Sequence, residues 1–209
     1  MRKDALLLDL DGTVLDTHAL ILSSWRHVRE RFALEVDDDR FRRGMGRPLL
    51  EVLGAFSASP AHAEEMVAAY RAHNAEIHDA MVRPFEGIRE ALTELRARGV
   101  KLAIVTSKSR AFAERGLRVT DLAFDALVSP SEVARPKPAA EPVELALRWV
   151  GVARDRAVMV GDSPHDLEAG RAAGVETAAV AWGAFSLEEL APCAPDHVLR
   201  HPSELLSLV

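Results

Sequence analysis

The chain has 209 residues, of which 48% are hydrophobic and 28% charged, with a formal net charge of −6. That length and composition suit a soluble globular protein of one large domain, or one domain carrying an insertion. Basic and acidic residues are interspersed and no apolar run approaches membrane-spanning length, so neither nucleic acid nor a membrane is the expected partner.

The first predicted strand, Ala5–Leu8, starts within a few residues of Met1 and leaves no room for a signal peptide. The single cysteine, Cys193, excludes an internal disulfide, and a cytoplasmic setting is expected. The strand ends in Asp9-Leu10-Asp11-Gly12-Thr13. Side chains two apart on a strand point the same way, so Asp9 and Asp11 can reach one small pocket. Two carboxylates so placed repel each other, and a divalent cation, a phosphoryl group, or both would relieve the cost. Asp11-Gly12 also fits an ordinary turn with Asp9 as a cap.

From about Asp16 to Val82 the pattern is helical throughout. Ile21, Leu22, Trp25, Val28 and Phe32 recur at helical spacing, and Pro48–Phe56 and Ala61–His78 give further helices. The expected division is a core of residues 1–15 and 83–209 and a helical cap of residues 16–82 placed over the crevice. Arg47, between Gly46 and Pro48, enters a cap helix; it suits a clamp on a substrate's distal group and equally a surface arginine. His62, His73 and His78 read as exposed helix positions.

Beyond the insert, predicted strands at Lys101–Val105, Ala126–Val128, Ala157–Val160, Thr177–Val180 and His197–Leu199 alternate with helices at Phe85–Arg98, Ser109–Arg115, Glu141–Trp149 and Asp166–Ala173. Alternating strands and helices imply an α/β fold with a doubly wound parallel sheet, whose ligands bind beyond the carboxyl ends of the strands. Three more candidate sites fall at such ends. Thr106-Ser107-Lys108 offers hydroxyls and backbone N–H groups for phosphate oxygens, though capping explains them as well. Lys137 lies in Arg135-Pro136-Lys137-Pro138, where prolines stiffen the backbone; it is one of only four lysines, which sets it apart from a solvated loop lysine. Gly161-Asp162-Ser163-Pro164-His165-Asp166 carries two carboxylates, Asp162 suited to magnesium and Asp166 to a ligand or a helix cap. Trp182–Phe185 follows the next strand, where it suits either the crevice or packing.

These residues, Asp9-Leu10-Asp11-Gly12-Thr13, Thr106, Lys137 and Gly161–Asp166, resemble in order the four motifs of the haloacid dehalogenase superfamily of phosphohydrolases. The similarity covers essentially the whole chain and looks most like the phosphoglycolate-phosphatase-like and pyrophosphatase-like branches. The resemblance implies that Asp9 attacks phosphorus to form an aspartyl phosphate and that Asp11 acts as general acid and base. It implies Mg2+ held by Asp9, Asp162, Asp166 and the backbone carbonyl of Asp11. It further implies phosphate contacts from Thr106, Lys137, Ser107, Lys108, Gly12 and Thr13, with Arg47 from the cap.

Departures narrow the choice. Dehalogenases lack the second acid, which Asp11 supplies here, and phosphonate-cleaving relatives need a cap lysine that is missing. Mutase relatives carry a histidine where Ile21 stands. A phospho-accepting signalling domain is the non-enzymatic alternative, but such domains have no inserted helical lid. The expected substrate is a small phosphorylated metabolite, 2-phosphoglycolate first and inorganic pyrophosphate second.

Overall fold

The computed structural model describes residues 3–209. The first half runs β1 (Ala5–Leu8), β2 (Leu15–Asp16), α1 (His18–Arg31), α2 (Asp38–Arg42), α3 (Leu49–Gly54), α4 (Pro60–Met81), β3 (Arg83–Pro84) and α5 (Ile88–Ala97). It continues with β4 (Lys101–Val105), α6 (Arg110–Val119), β5 (Ala126–Val128), α7 (Glu141–Val150) and β6 (Ala157–Gly161). The chain then forms α8 (Pro164–Ala173), β7 (Glu176–Val180), α9 (Leu187–Leu190) and β8 (His197–Leu199).

Six strands form one parallel sheet in the order β5-β4-β1-β6-β7-β8. Their apolar runs lack polar alternation because both faces are covered. Leu6, Leu8, Ile104, Val158 and Val160 pack on one face with Ile88, Leu92 and Leu95 of α5. Ala5, Leu7, Ala103, Val105 and Met159 pack on the other with Val143 and Ala146 of α7 and Ala169 of α8. The result is the α/β architecture expected from the sequence, with β1 central and its carboxyl end beside those of β4 and β6.

Helices α1–α4 surround a separate apolar cluster of Trp25, Val28, Phe41, Leu53, Met66 and Tyr70. The rings of Trp25 and Phe41 stack at 4.5 Å, and the Trp25 indole N–H donates to Asp38 Oδ1 at 3.1 Å. The chain enters and leaves this layer through β2 and β3, which pair antiparallel as Leu15 with Pro84 and Asp16 with Arg83.

Several boundaries differ from the sequence reading. The helix expected from Phe85 begins at Ile88, because Gly87 adopts a left-handed conformation at its N-cap. The helix expected from Asp166 begins at Pro164, a residue suited to the first turn, with Ser163 and Asp166 forming a capping box. His78 is fully buried rather than exposed, since the end of α4 lies against α6; its ring faces Phe112 at 5.8 Å.

Candidate active site

The sheet register sets the site. Leu8 aligns with Ile104 on one side and Val160 on the other, so the residues that follow these strands emerge at one rim. Asp9 stays in the ladder through its N–H, which donates to the Val160 carbonyl at 2.9 Å. Asp162 follows β6 directly and Thr106 follows β4. Lys137 reaches the same point from the loop after β5.

The Lys137 ammonium donates to Asp9 Oδ1 at 2.6 Å, to Asp166 Oδ1 at 2.5 Å and to the Val105 carbonyl at 3.0 Å. All three of its donors are therefore satisfied. Asp166 Oδ2 accepts from the Ser163 N–H at 3.0 Å and the Ser163 hydroxyl at 2.6 Å. Asp162 Oδ2 accepts from the Ala184 N–H at 2.7 Å. Space for Asp162 is made by two glycines: a Cβ on Gly12, which sits at φ +87°, would fall 2.2 Å from its Oδ2, and one on Gly183 would fall 2.1 Å from its Cβ.

Asp9, Asp162 and Asp166 are all buried, and one oxygen from each lies within 4.8 Å of the others. Burial pushes the Asp9 carboxyl up to about 7 against the opposing pull of Lys137. Burial, then the charges of Asp9 and Asp166, push Asp162 well above the usual carboxylate range. Burial works against the charge on Lys137, but Asp166 and Asp9 outweigh it and hold the ammonium above its ordinary range. Three buried carboxylates against one ammonium leave excess negative charge, and all the donors are hard oxygens. That donor set fits Mg2+.

Asp11 lines the same cleft but stands outside this acid group. Its carboxylate accepts from Lys108 Nζ at 2.8 and 3.0 Å and from the Thr17 hydroxyl at 2.8 Å, and it is not part of the three-carboxylate group. The Asp11 side chain is thus engaged by Lys108 and Thr17 rather than by the acid cluster. The Thr106 hydroxyl accepts from the Lys108 N–H at 3.1 Å, a local turn contact. Ser107 donates its hydroxyl to the Gly46 carbonyl at 2.6 Å, a bond between core and helical layer. Arg47 donates from Nε to His165 Nε2 at 3.1 Å across the same gap.

Between the layers lies a cleft of about 280 Å3. Asp9, Asp11, Thr106, Ser107, Lys108 and Asp162 line its sheet side, and Ile21, Arg47, Leu49, Tyr70 and Arg71 line its helical side. Gly12 and Thr13 are buried and do not line it; Thr13 accepts the Trp182 indole N–H at its carbonyl, 3.0 Å away. Phe185 lines the cleft, whereas Trp182 packs into the core, so the Trp182–Phe185 segment serves both purposes.

Residues 6–180 match the family of haloacid dehalogenase-like hydrolases. The chain belongs to that family. It is 39% identical to a protein of Bacillus velezensis named pyrophosphatase PpaX, over 99% of this chain and 96% of that one. It is 37% identical to the pyrophosphatase PpaX of Halalkalibacterium halodurans, over 100% of this chain and 98% of that one. Among solved structures, a haloacid dehalogenase-like hydrolase from Streptococcus pneumoniae superposes with a TM-score of 0.84 at 26% identity, covering 98% of this chain and 97% of its own. This member of the haloacid dehalogenase family is a hydrolase acting on small phosphorylated substrates, with a buried acid cluster suited to Mg2+.

Sequence reasoning passed over Thr17 and Arg71, and took His165 and Gly183 only as members of longer segments without roles of their own. The partners of Thr17, Gly183 and His165 lie on other loops, so no local pattern marks their contacts. Arg71 is one of many arginines on a helix and carries no distinguishing neighbour.

Proposed function

We propose that this hydrolase cleaves inorganic pyrophosphate. The full-length likeness to proteins named pyrophosphatase PpaX carries the choice of substrate and favours pyrophosphate over the 2-phosphoglycolate expected from the sequence. Arg47 and Arg71 on the helical side of the cleft have no carboxylate partner among the described residues, which suits a substrate with a second phosphoryl group. In this reading residues 16–82 act as a lid on the core of residues 1–15 and 83–209.

An Asp9 carboxylate oxygen attacks one phosphorus, and the bond from that phosphorus to the bridging oxygen breaks. Asp11 gives a proton to the departing phosphate, then takes one from the water that hydrolyses the aspartyl phosphate. Thr17 and Lys108 keep the Asp11 carboxylate aimed at the cleft. Lys137 lowers the negative charge around Asp9, and Thr106, Ser107 and nearby N–H groups contact phosphate oxygens. Gly12 and Thr13 shape the turn that carries Asp11. Asp9 and Asp162, with Asp166 beside them and the backbone carbonyl of Asp11, would hold Mg2+, which when bound neutralises charge between anionic nucleophile and anionic substrate.

The test is phosphate release with Mg2+ over a panel of pyrophosphate, 2-phosphoglycolate, sugar phosphates and nucleotides. Pyrophosphate should give the highest kcat/KM, and Asp9→Asn should fold normally without turnover. A panel led by 2-phosphoglycolate, or an active Asp9→Asn enzyme, defeats the reading.

A further inference from the structure

Four cations reach the cleft wall, and their partners separate them. Lys108 is consumed by Asp11, and Arg110 is paired with Glu132 and Glu114. Arg71 lines the cleft with no carboxylate partner among the described residues. Arg47 alone is held at its base and free at its tip. Its Nε donates to His165, and among the described residues neither terminal nitrogen has a hydrogen-bond partner.

The anchor is buried and belongs to the core. His165 is 8% exposed and lies in the first turn of α8, next to Asp166 in the chain. The Arg47 loop lies flush against it. Gly46 sits at φ +90°, where a Cβ would fall 2.5 Å from Ser163 Oγ and 3.0 Å from His165 Cδ2. The Ser107 hydroxyl fixes the same loop through the Gly46 carbonyl. The His165 ring accepts through Nε2, which places its proton on Nδ1. A guanidinium fixed through Nε still presents two parallel N–H groups at its far edge, the fork that matches a phosphoryl group.

We propose that His165 is a positioning residue that holds Arg47 so that its terminal edge grips the second phosphoryl group of the substrate. The inference rests on the pyrophosphatase reading and makes His165 a determinant of preference for anhydrides over monoesters. The anchor exists only while the Arg47 loop is docked on the core, so the grip forms with the lid in place. Fixing the guanidinium before the substrate arrives lowers the ordering cost of binding.

The experiment is steady-state phosphate release from pyrophosphate and from methyl phosphate, with wild-type enzyme and His165→Ala, His165→Gln, Arg47→Ala, Arg71→Ala and the His165→Ala/Arg47→Ala pair. Loss of a charge-assisted contact of this kind corresponds to about a tenfold rise in KM for pyrophosphate. That rise is expected in both His165→Ala and Arg47→Ala, with a smaller change in kcat and a fall in the preference for pyrophosphate over methyl phosphate. The pair should be no worse than Arg47→Ala, and His165→Gln, which keeps an acceptor, should recover most of the KM. A His165→Ala enzyme with unchanged KM overturns the proposal, as do additive losses in the pair or a rise confined to Arg71→Ala. Wild-type enzyme without pyrophosphate turnover overturns the function reading and the grip with it; active wild-type enzyme with an unmoved His165→Ala KM overturns the grip alone.

Discussion

The Lys108 ammonium spans both carboxylate oxygens of Asp11, at 2.8 and 3.0 Å. Nothing similar holds Asp9, whose partner Lys137 is shared with Asp166. Two acids two residues apart thus sit in different environments, one sharing its lysine inside the buried cluster and the other holding a lysine of its own.

Asp11→Asn should keep the Thr17 contact and one of the two from Lys108, because an amide carries a single accepting oxygen. It cannot exchange a proton. Turnover should drop by roughly 10²- to 10⁴-fold, the usual contribution of a positioned acid and base, with the thermal midpoint within a few degrees of wild type. Phosphate release and a melting curve together check both parts.

Removing Lys137 strands three buried carboxylates. Lys137→Met should cost the metal-free protein about 3–5 kcal/mol in urea unfolding, the penalty for breaking a buried ion pair on one side. Asp162→Asn should act in the opposite direction, because it removes a like charge from the cluster. The metal-free variant should melt above metal-free wild type, and Mg2+ should raise the wild-type midpoint but not that of the variant. Chelation of Mg2+ should abolish wild-type turnover reversibly.

Glu132 gives a pH signature away from the reacting groups. Burial opposes its charge, but hydrogen bonds from Arg110, Ser131 and Ser129 outweigh it and hold the carboxyl down at about 2. A carboxylate lowered from 4.5 in the unfolded chain stabilises the fold fully above that value. Its contribution is lost as pH falls through about 2. The gap in unfolding free energy between wild type and Glu132→Gln should therefore be constant above pH 5 and close on acidification, as measured by urea titration across the acid range.

Gly46→Ala combines a left-handed backbone with a Cβ 2.5 Å from Ser163 Oγ. The loop must lift off the core, carrying Arg47 from its anchor. KM for pyrophosphate should rise by about an order of magnitude, matching Arg47→Ala, since both remove the same contact. Kinetics of the two variants side by side provide the comparison.

The sheet and most of the site were legible because strand ends are marked by abrupt changes in polarity. Asp9, Thr106 and Asp162 each terminate a fully apolar run, and Lys137 stands between prolines. The pair β2 and β3 was not legible: two residues each is below any periodicity, and the pairing joins positions far apart in sequence. Helix α2 was missed for a similar reason. It is five residues long and mostly charged, and it depends on Asp37 accepting the Arg40 N–H at 2.7 Å. His78 read as exposed because a histidine on a helix is an ordinary surface residue; its packing against Phe112 and Gly116 of α6 buries it. The substrate preference was hardest to read. In the proposed reading it depends on contacts such as Arg47 with His165, between residues 118 positions apart.

The short antiparallel pair of Leu15 with Pro84 and Asp16 with Arg83 brings the two crossings of the chain side by side. The sheet therefore meets the helical layer at what amounts to a hairpin stem, whatever is looped out beyond it. Such a stem lets the looped-out portion be lengthened, exchanged or trimmed without shifting the register of β1 against β4 and β6. In the proposed reading, chemistry stays tied to the sheet rim while selectivity rides on a replaceable cassette, so the two can diverge at different rates within one polypeptide.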